Sequence, residues 1–226
     1  MDRSIVIGWI GALLLMGLLT VFTRRDRRGW AGRALALLLL YLAMYWLVAA
    51  IGPGAATFAA LAAGVAVLLA VQPLIALGFI DRAEIGLTPP LPGSSVAALI
   101  AIILATSFNL AVMNLRGPLP EALSGNVLLL LLVAPLIEEF VFRGVLLALV
   151  DRASPPRWNV AGARIGAGGV LLMLAFVSVH GLRPGVLLGI APAAFVYLWL
   201  RARTGSLAWP LAAHVAWNLS VVVVHA

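Results

Sequence analysis

Glu138, Glu139 and Arg143 interrupt one of the most apolar runs of this chain, "APLIEEFVFRGV" at 134–145. Two later apolar runs are interrupted in the same way, by Phe176-x-x-x-His180 and by His214-x-x-x-Asn218. A charged residue at bilayer depth costs about 2.5–3.5 kcal/mol even on the lenient insertion scale, so such residues call for a reason. Glu139 and Arg143 are spaced i,i+4 with the acid first, the better orientation for a helical ion pair. Glu138 then points about 100° away and has no partner on its own helix. A carboxylate subject to desolvation, a neighbouring acid and a protonated histidine is suited to general acid–base work. His214 and Asn218, one turn apart, set a proton carrier beside an amide donor able to stabilise an oxyanion. Each cluster alone also reads structurally: an ion-pair network, an interhelical hydrogen bond, a satisfied core histidine. Phe176, one turn before His180, reads as packing.

These residues sit in a chain built for lipid. Of 226 residues, 64% are hydrophobic and 10% charged, and the mean hydropathy is +1.13. A soluble domain runs nearer half apolar and a quarter charged. Apolar runs of about 17–25 residues have the length of a membrane-crossing helix. Eight spans are predicted, near 5–22, 34–51, 55–80, 95–115, 126–150, 165–180, 185–200 and 206–224. They are separated by turn chemistry such as Gly52-Pro53-Gly54, Gly117-Pro118-Leu119-Pro120 and Pro155-Pro156. The fold class expected is an all-α polytopic membrane protein with an intramembrane polar cavity. Its N-terminal four-helix region covers 1–125, and the polar clusters fall on helices within 126–226. Spans two and three look like packing material, and the first apolar run reads as a retained span. Cysteine is absent, which removes disulfides, thiolate metal sites and cysteine nucleophiles.

Every basic residue is arginine, and the arginines lie at the ends of apolar runs, not on one basic face. They read as topology signals, and no nucleic-acid partner is expected. Eleven stand in the odd-numbered loops (Arg24, Arg25, Arg27, Arg28, Arg33, Arg82, Arg152, Arg157, Arg164, Arg201 and Arg203) against three on the other side (Arg3, Arg116 and Arg183). The bias places the odd loops in the cytoplasm and both termini outside, in a multi-pass cell (inner) membrane protein. Counting about 1.5 Å per residue puts His214, Glu138 and His180 roughly 12, 18 and 22 Å into a core of about 30 Å. All three fall in the middle region, where they can meet. Spans six and seven are predicted to be short, about 16 residues each, and joined by the Gly/Pro-interrupted turn "HGLRPG", as at a polar cavity.

The three motifs, "EEFVFR" (138–143), "FVSVH" (176–180) and "HVAWN" (214–218), resemble the EExxxR, FxxxH and HxxxN of the CAAX-processing and bacteriocin-processing (CPBP) intramembrane proteases, relatives of the CAAX prenyl endopeptidases. The lead-in "RTGSLAWPLAAHVAWN" (203–218) is also similar, and the resemblance spans about 126–220 in the right order. It implies an eight-helix fold with a cavity open to the cytoplasm, and hydrolysis of a peptide bond in a membrane-associated peptide or protein. In that scheme Glu138 activates water, His180 assists it, and His214 and Asn218 bind the oxyanion. Glu139, Arg143 and Phe176 support the site. Glu138, His180 and His214 also compose a His₂Glu set of the kind zinc takes, although no HExxH is present. The metal-independent glutamate mechanism is the favoured reading, with no cofactor and zinc as the alternative.

Two other classes compete with proteolysis. A proton-coupled transporter also places Glu, His and Arg at mid-membrane. It usually shows paired halves with corresponding broken segments, and the first half here has no counterpart to the motifs. A non-catalytic membrane scaffold or bacteriocin-immunity protein would keep the motifs only for helix packing.

Overall fold

The structure is a computed structural model that describes residues 3–51, 56–116 and 132–225. The Gly52 and Gly117 turns and the first residues of the fifth predicted span, 126–131, lie outside the described residues. Among the described residues, five helices are long and apolar enough to cross a membrane. Four of them precede the three motifs: α1 (Arg3–Phe22), α2 (Arg28–Ala49), α3 (Ala56–Ala76) and, after the short α4 (Arg82–Ile85), α5 (Ser95–Arg116). A continuous helical stretch follows, made of α6 (Ala134–Glu138), a π-helical segment (Glu139–Leu146) and α7 (Leu147–Ala153). The hairpin β1 (Trp158–Val160) and β2 (Ala163–Ile165) leads to α8 (Ala167–Val179), α9 (Pro184–Thr204) and α10 (Ala208–His225).

Several predicted boundaries move. The third span ends at Ala76, not 80, because the chain turns through Gly78 at φ +69°. The loop after it holds α4, whose N-terminus is closed by a reciprocal capping box between Asp81 and Glu84. The all-α expectation omitted the hairpin, which pairs Trp158 with Ile165 and Val160 with Ala163. Its two turn residues, Ala161 at φ +48° and Gly162 at φ +81°, are both left-handed, as a tight two-residue hairpin requires. The short pair is half right. α8 has 13 residues, but α9 runs to 21, straight through Pro192. Its last turn is fixed by Arg201 and Arg203, which hydrogen-bond other segments, and it stops at Gly205 with φ +70°.

The helices sort by face. α1 buries Gly8, Ala12, Met16 and Leu19, a stripe at three- and four-residue spacing, while Ile7, Leu14 and Phe22 stay more than half exposed. Exposed side chains of that size are tolerated where the surrounding medium is hydrocarbon. α1 packs on α8, α2 on α3 and α7, and α5 on α9 and α10. The N-terminal helices therefore do more than fill space: they clamp the helices that carry the motifs. A Cβ on Gly8 would run into the Ser178 carbonyl, two residues before His180, and one on Gly64 would overlap Ile137 Cγ2, beside Glu138. Trp9 Nε1 donates to the Val179 carbonyl at 3.2 Å. α5 is tied to α10 by Asn109 Nδ2, which donates to Ser220 Oγ at 2.8 Å.

Candidate active site

The π-helical segment decides how the site residues are presented. Leu147 N–H reaches back to the Phe142 carbonyl, five residues earlier, so the turn is wider than an α-turn. Such bulges concentrate at functional sites. The Arg143 carbonyl within it accepts a hydrogen bond from Arg201 Nε of α9 at 3.1 Å. Arg201 Nη2 also donates to the Glu84 carbonyl at 2.6 Å. The Glu84 carboxylate in turn holds Arg152 through two hydrogen bonds, at 3.0 and 2.8 Å. Glu84 lies outside the spans. Partial burial works to raise its pKa, but the Arg152 hydrogen bonds and charge outweigh it and hold the carboxyl below the ordinary value. This latch joins α4, α7 and α9 to the backbone of the motif helix.

The expected ion pair forms. Arg143 Nη1 lies 3.2 Å from Glu139 Oε1, and both side chains are essentially buried. Phe176, expected as packing, is the floor of this pair: the Arg143 guanidinium lies 3.8 Å above its ring centroid. A desolvated cation–π contact of this kind contributes about 2 kcal/mol. Phe176 also meets Phe142 edge-on at 5.1 Å and leans on His180 at 4.7 Å. One aromatic ring thus fixes residues from two of the motifs.

The histidines from α8 and α10 converge on Glu138. His180 Nε2 lies 3.6 Å from Glu138 Oε2, and His214 Nε2 lies 3.9 Å from the same oxygen. Their other nitrogens are engaged elsewhere. His180 Nδ1 donates to the Phe176 carbonyl at 2.8 Å, and His214 Nδ1 donates to Glu139 Oε1 at 2.9 Å. With Nδ1 carrying the proton in each ring, both Nε2 atoms face Glu138. The 3.6 and 3.9 Å separations are longer than direct hydrogen bonds. Glu138 and His180 retain side-chain exposures of 17% and 28%, whereas Glu139 is at 1%. The first glutamate is therefore the accessible one. Asn218 lies one turn beyond His214, half-buried, with no hydrogen bond to the carboxylates or histidines among the described residues.

Sequence reasoning missed Tyr197. Its ring stacks on His214 with centroids 4.7 Å apart and 21° between planes, and its hydroxyl is buried without a hydrogen-bond partner among the described residues. No motif marks it; only the packing of α9 on α10 brings it there. Among the described residues no group of three or more His, Asp or Glu side chains is arranged to hold a metal ion.

Apolar spanning helices around a buried Glu–His–Arg cluster define an integral membrane protein with a polar site inside the helix bundle. Residues 120–220 match the family model described as Type II CAAX prenyl endopeptidase Rce1-like. No curated protein and no solved structure gave a significant match.

Proposed function

We propose that this protein is an intramembrane endopeptidase that hydrolyses a peptide bond of a membrane-associated protein or peptide. The observation that carries the reading is the convergence of His180 Nε2 and His214 Nε2 on Glu138 Oε2, at 3.6 and 3.9 Å, in a segment whose family model is named for an endopeptidase. Glu138 takes a proton from water, and the hydroxide oxygen bonds to the scissile carbonyl carbon. His180, anchored by the Phe176 carbonyl, orients Glu138. The resulting oxyanion is met by His214, donating from Nε2 as imidazolium, and by the Asn218 amide. Glu139 supports that imidazolium through Nδ1. Glu138 then returns its proton to the amide nitrogen as the C–N bond breaks. No step requires a cofactor or a metal. The bundle has eight spans in the inner membrane, with the odd loops and the site's opening cytoplasmic and both termini outside. That arrangement is supported by the arginine bias.

The test is cleavage of a membrane-anchored peptide library by the purified full chain in vesicles. Glu138→Gln keeps the shape and removes the base, so turnover should fall by about 10² or more while folding is retained. Cleavage should survive exhaustive chelation. Full activity of Glu138→Gln would overturn the proposal, and loss on chelation restored by zinc would replace it with a metalloprotease. A reporter fused after residue 226 that reads as cytoplasmic would overturn the topology.

A further inference from the structure

Three helix ends meet at a polar cavity of about 220 Å³. The last turn of α7 supplies Asp151, and the last turn of α9 supplies Arg201. The start of α8 forms part of the wall through its N-cap, Gly166, and through Gly169. Arg164 of β2 adds a second guanidinium and is exposed, so the cavity communicates with the surface. Arg201, by contrast, is only 8% exposed. Its Nε and Nη2 are engaged by the Arg143 and Glu84 carbonyls, which fixes the group, while its Nη1 makes no hydrogen bond among the described residues. Asp151 does not neutralise it: the two share the cavity without an ion pair among the described residues, and burial pushes the Asp151 carboxyl up to about 7. The first turn of α8 has no side-chain cap, so its amides add further unpaired donors to the wall. A desolvated guanidinium with a free donor beside uncapped amides lacks an anion.

We propose that this cavity binds the phosphate of an anionic phospholipid headgroup. Its level selects a lipid: α9 is long and apolar enough to cross a membrane, and the cavity lies at its last turn, where hydrocarbon gives way to headgroups. The hairpin beside it carries Trp158, more than half exposed, next to Arg157, and such aromatic rings favour the membrane–water interface. Trp199 Nε1 donates to the Val160 carbonyl at 2.9 Å and Arg203 Nη1 to the Gly162 carbonyl at 3.3 Å, so the hairpin is fastened to α9. The arginine bias assigns this end to the cytoplasmic leaflet, where basic pockets between helices take anionic headgroups. A phosphate seated here accepts charge-assisted hydrogen bonds from Arg164 and Arg201. It also braces Arg201, which holds the Arg143 carbonyl behind the motif helix. Asp151 donates to the phosphate when protonated and repels it when ionised. The charged groups facing Asp151 are Arg164 on β2 and Arg201 on α9, and arginine does not titrate near neutrality. The inference rests on the membrane placement of the chain and is independent of proteolysis.

The experiment titrates the purified full chain, in a non-ionic detergent at pH 8, with phosphatidylglycerol and counts bound lipid by native mass spectrometry. Phosphatidylcholine and inorganic phosphate serve as the comparisons. One phosphatidylglycerol should bind in preference to phosphatidylcholine, whose choline would face the guanidiniums. Arg164→Ala, at an exposed position, should weaken that binding by about tenfold or more, as loss of a charge-assisted hydrogen bond does. Asp151→Asn should tighten it at pH 8 and leave it unchanged at pH 5, where both side chains are neutral. Phosphatidylglycerol should also raise the melting temperature of the native protein more than that of Arg164→Ala. Should Arg164→Ala fail to accumulate, the near-isosteric Asp151→Asn decides by its pH dependence. Binding that neither variant alters belongs to the lipid-facing surface and overturns the cavity as the site. Equal binding of phosphatidylcholine overturns the preference for an anionic headgroup. Displacement of the bound lipid by millimolar inorganic phosphate overturns the lipid as the source and assigns the cavity to free phosphate.

Discussion

Glu139 Oε1 accepts two hydrogen bonds, one from Arg143 Nη1 at 3.2 Å and one from His214 Nδ1 at 2.9 Å. A single buried oxygen thus joins the motif helix to α10 and sets the direction in which His214 presents Nε2. Arg143→Ala leaves Glu139 uncompensated, and removing one partner of a buried pair costs about 3–5 kcal/mol. The expected result is loss of accumulated protein together with activity. An Arg143→Ala protein that accumulates and melts as the native one does would show that the pair does not brace the fold.

The contact between α3 and α6 predicts a rescue. Gly64 leaves no room for a Cβ against Ile137, the residue before Glu138. Gly64→Val should therefore displace the motif helix, with an overpacking cost of about 1–3 kcal/mol and a drop in turnover. Adding Ile137→Ala removes the obstructing branch and should restore part of both. If the double variant is no better than Gly64→Val, the close approach does not position Glu138.

Tyr197 separates ring from hydroxyl. The ring stacks on His214, whereas the hydroxyl has no partner among the described residues. Tyr197→Phe removes an unsatisfied group and should be neutral or slightly stabilising, with activity kept. Tyr197→Ala empties a buried site and should cost about 3–5 kcal/mol. Thermal unfolding and turnover of both variants check this. A large activity loss in Tyr197→Phe would assign the hydroxyl a part in the reaction.

Asp151, just past the span at the end of α7, lines a polar cavity of about 220 Å³ with Arg164 and Arg201. Burial pushes its carboxyl up to about 7, with the Arg201 charge pulling the other way. The folded state then keeps a proton that the unfolded chain, near the usual value of about 4, gives up. Stability from this group falls as the pH rises from about 4 through about 7 and is level above that. Asp151→Asn should remove that slope and raise the melting temperature at pH 8 relative to the native protein. An unchanged slope in the variant would show that Asp151 does not titrate there.

The sequence by itself determined the helical membrane character and the three clusters. Hydropathy is a local, additive property, and the i,i+4 spacing places Glu139 beside Arg143 on any helix that contains them. It also supplied the polar residues at mid-span, since charge in hydrocarbon is rare without a function. Only the tertiary structure decided which groups each of these meets. The α-helical count gave Glu138 no partner on its own helix, but α8 and α10 each deliver an imidazole to it. The same packing turned Phe176 into the face under Arg143, stacked Tyr197 on His214, and made Gly8 and Gly64 points of contact for helices that had looked like filler. The π-helical turn, the hairpin and the Arg201 latch were equally hidden. They arise from hydrogen bonds between segments tens of residues apart, such as Arg201 to the Arg143 carbonyl, and neither period nor composition along one helix encodes such distances.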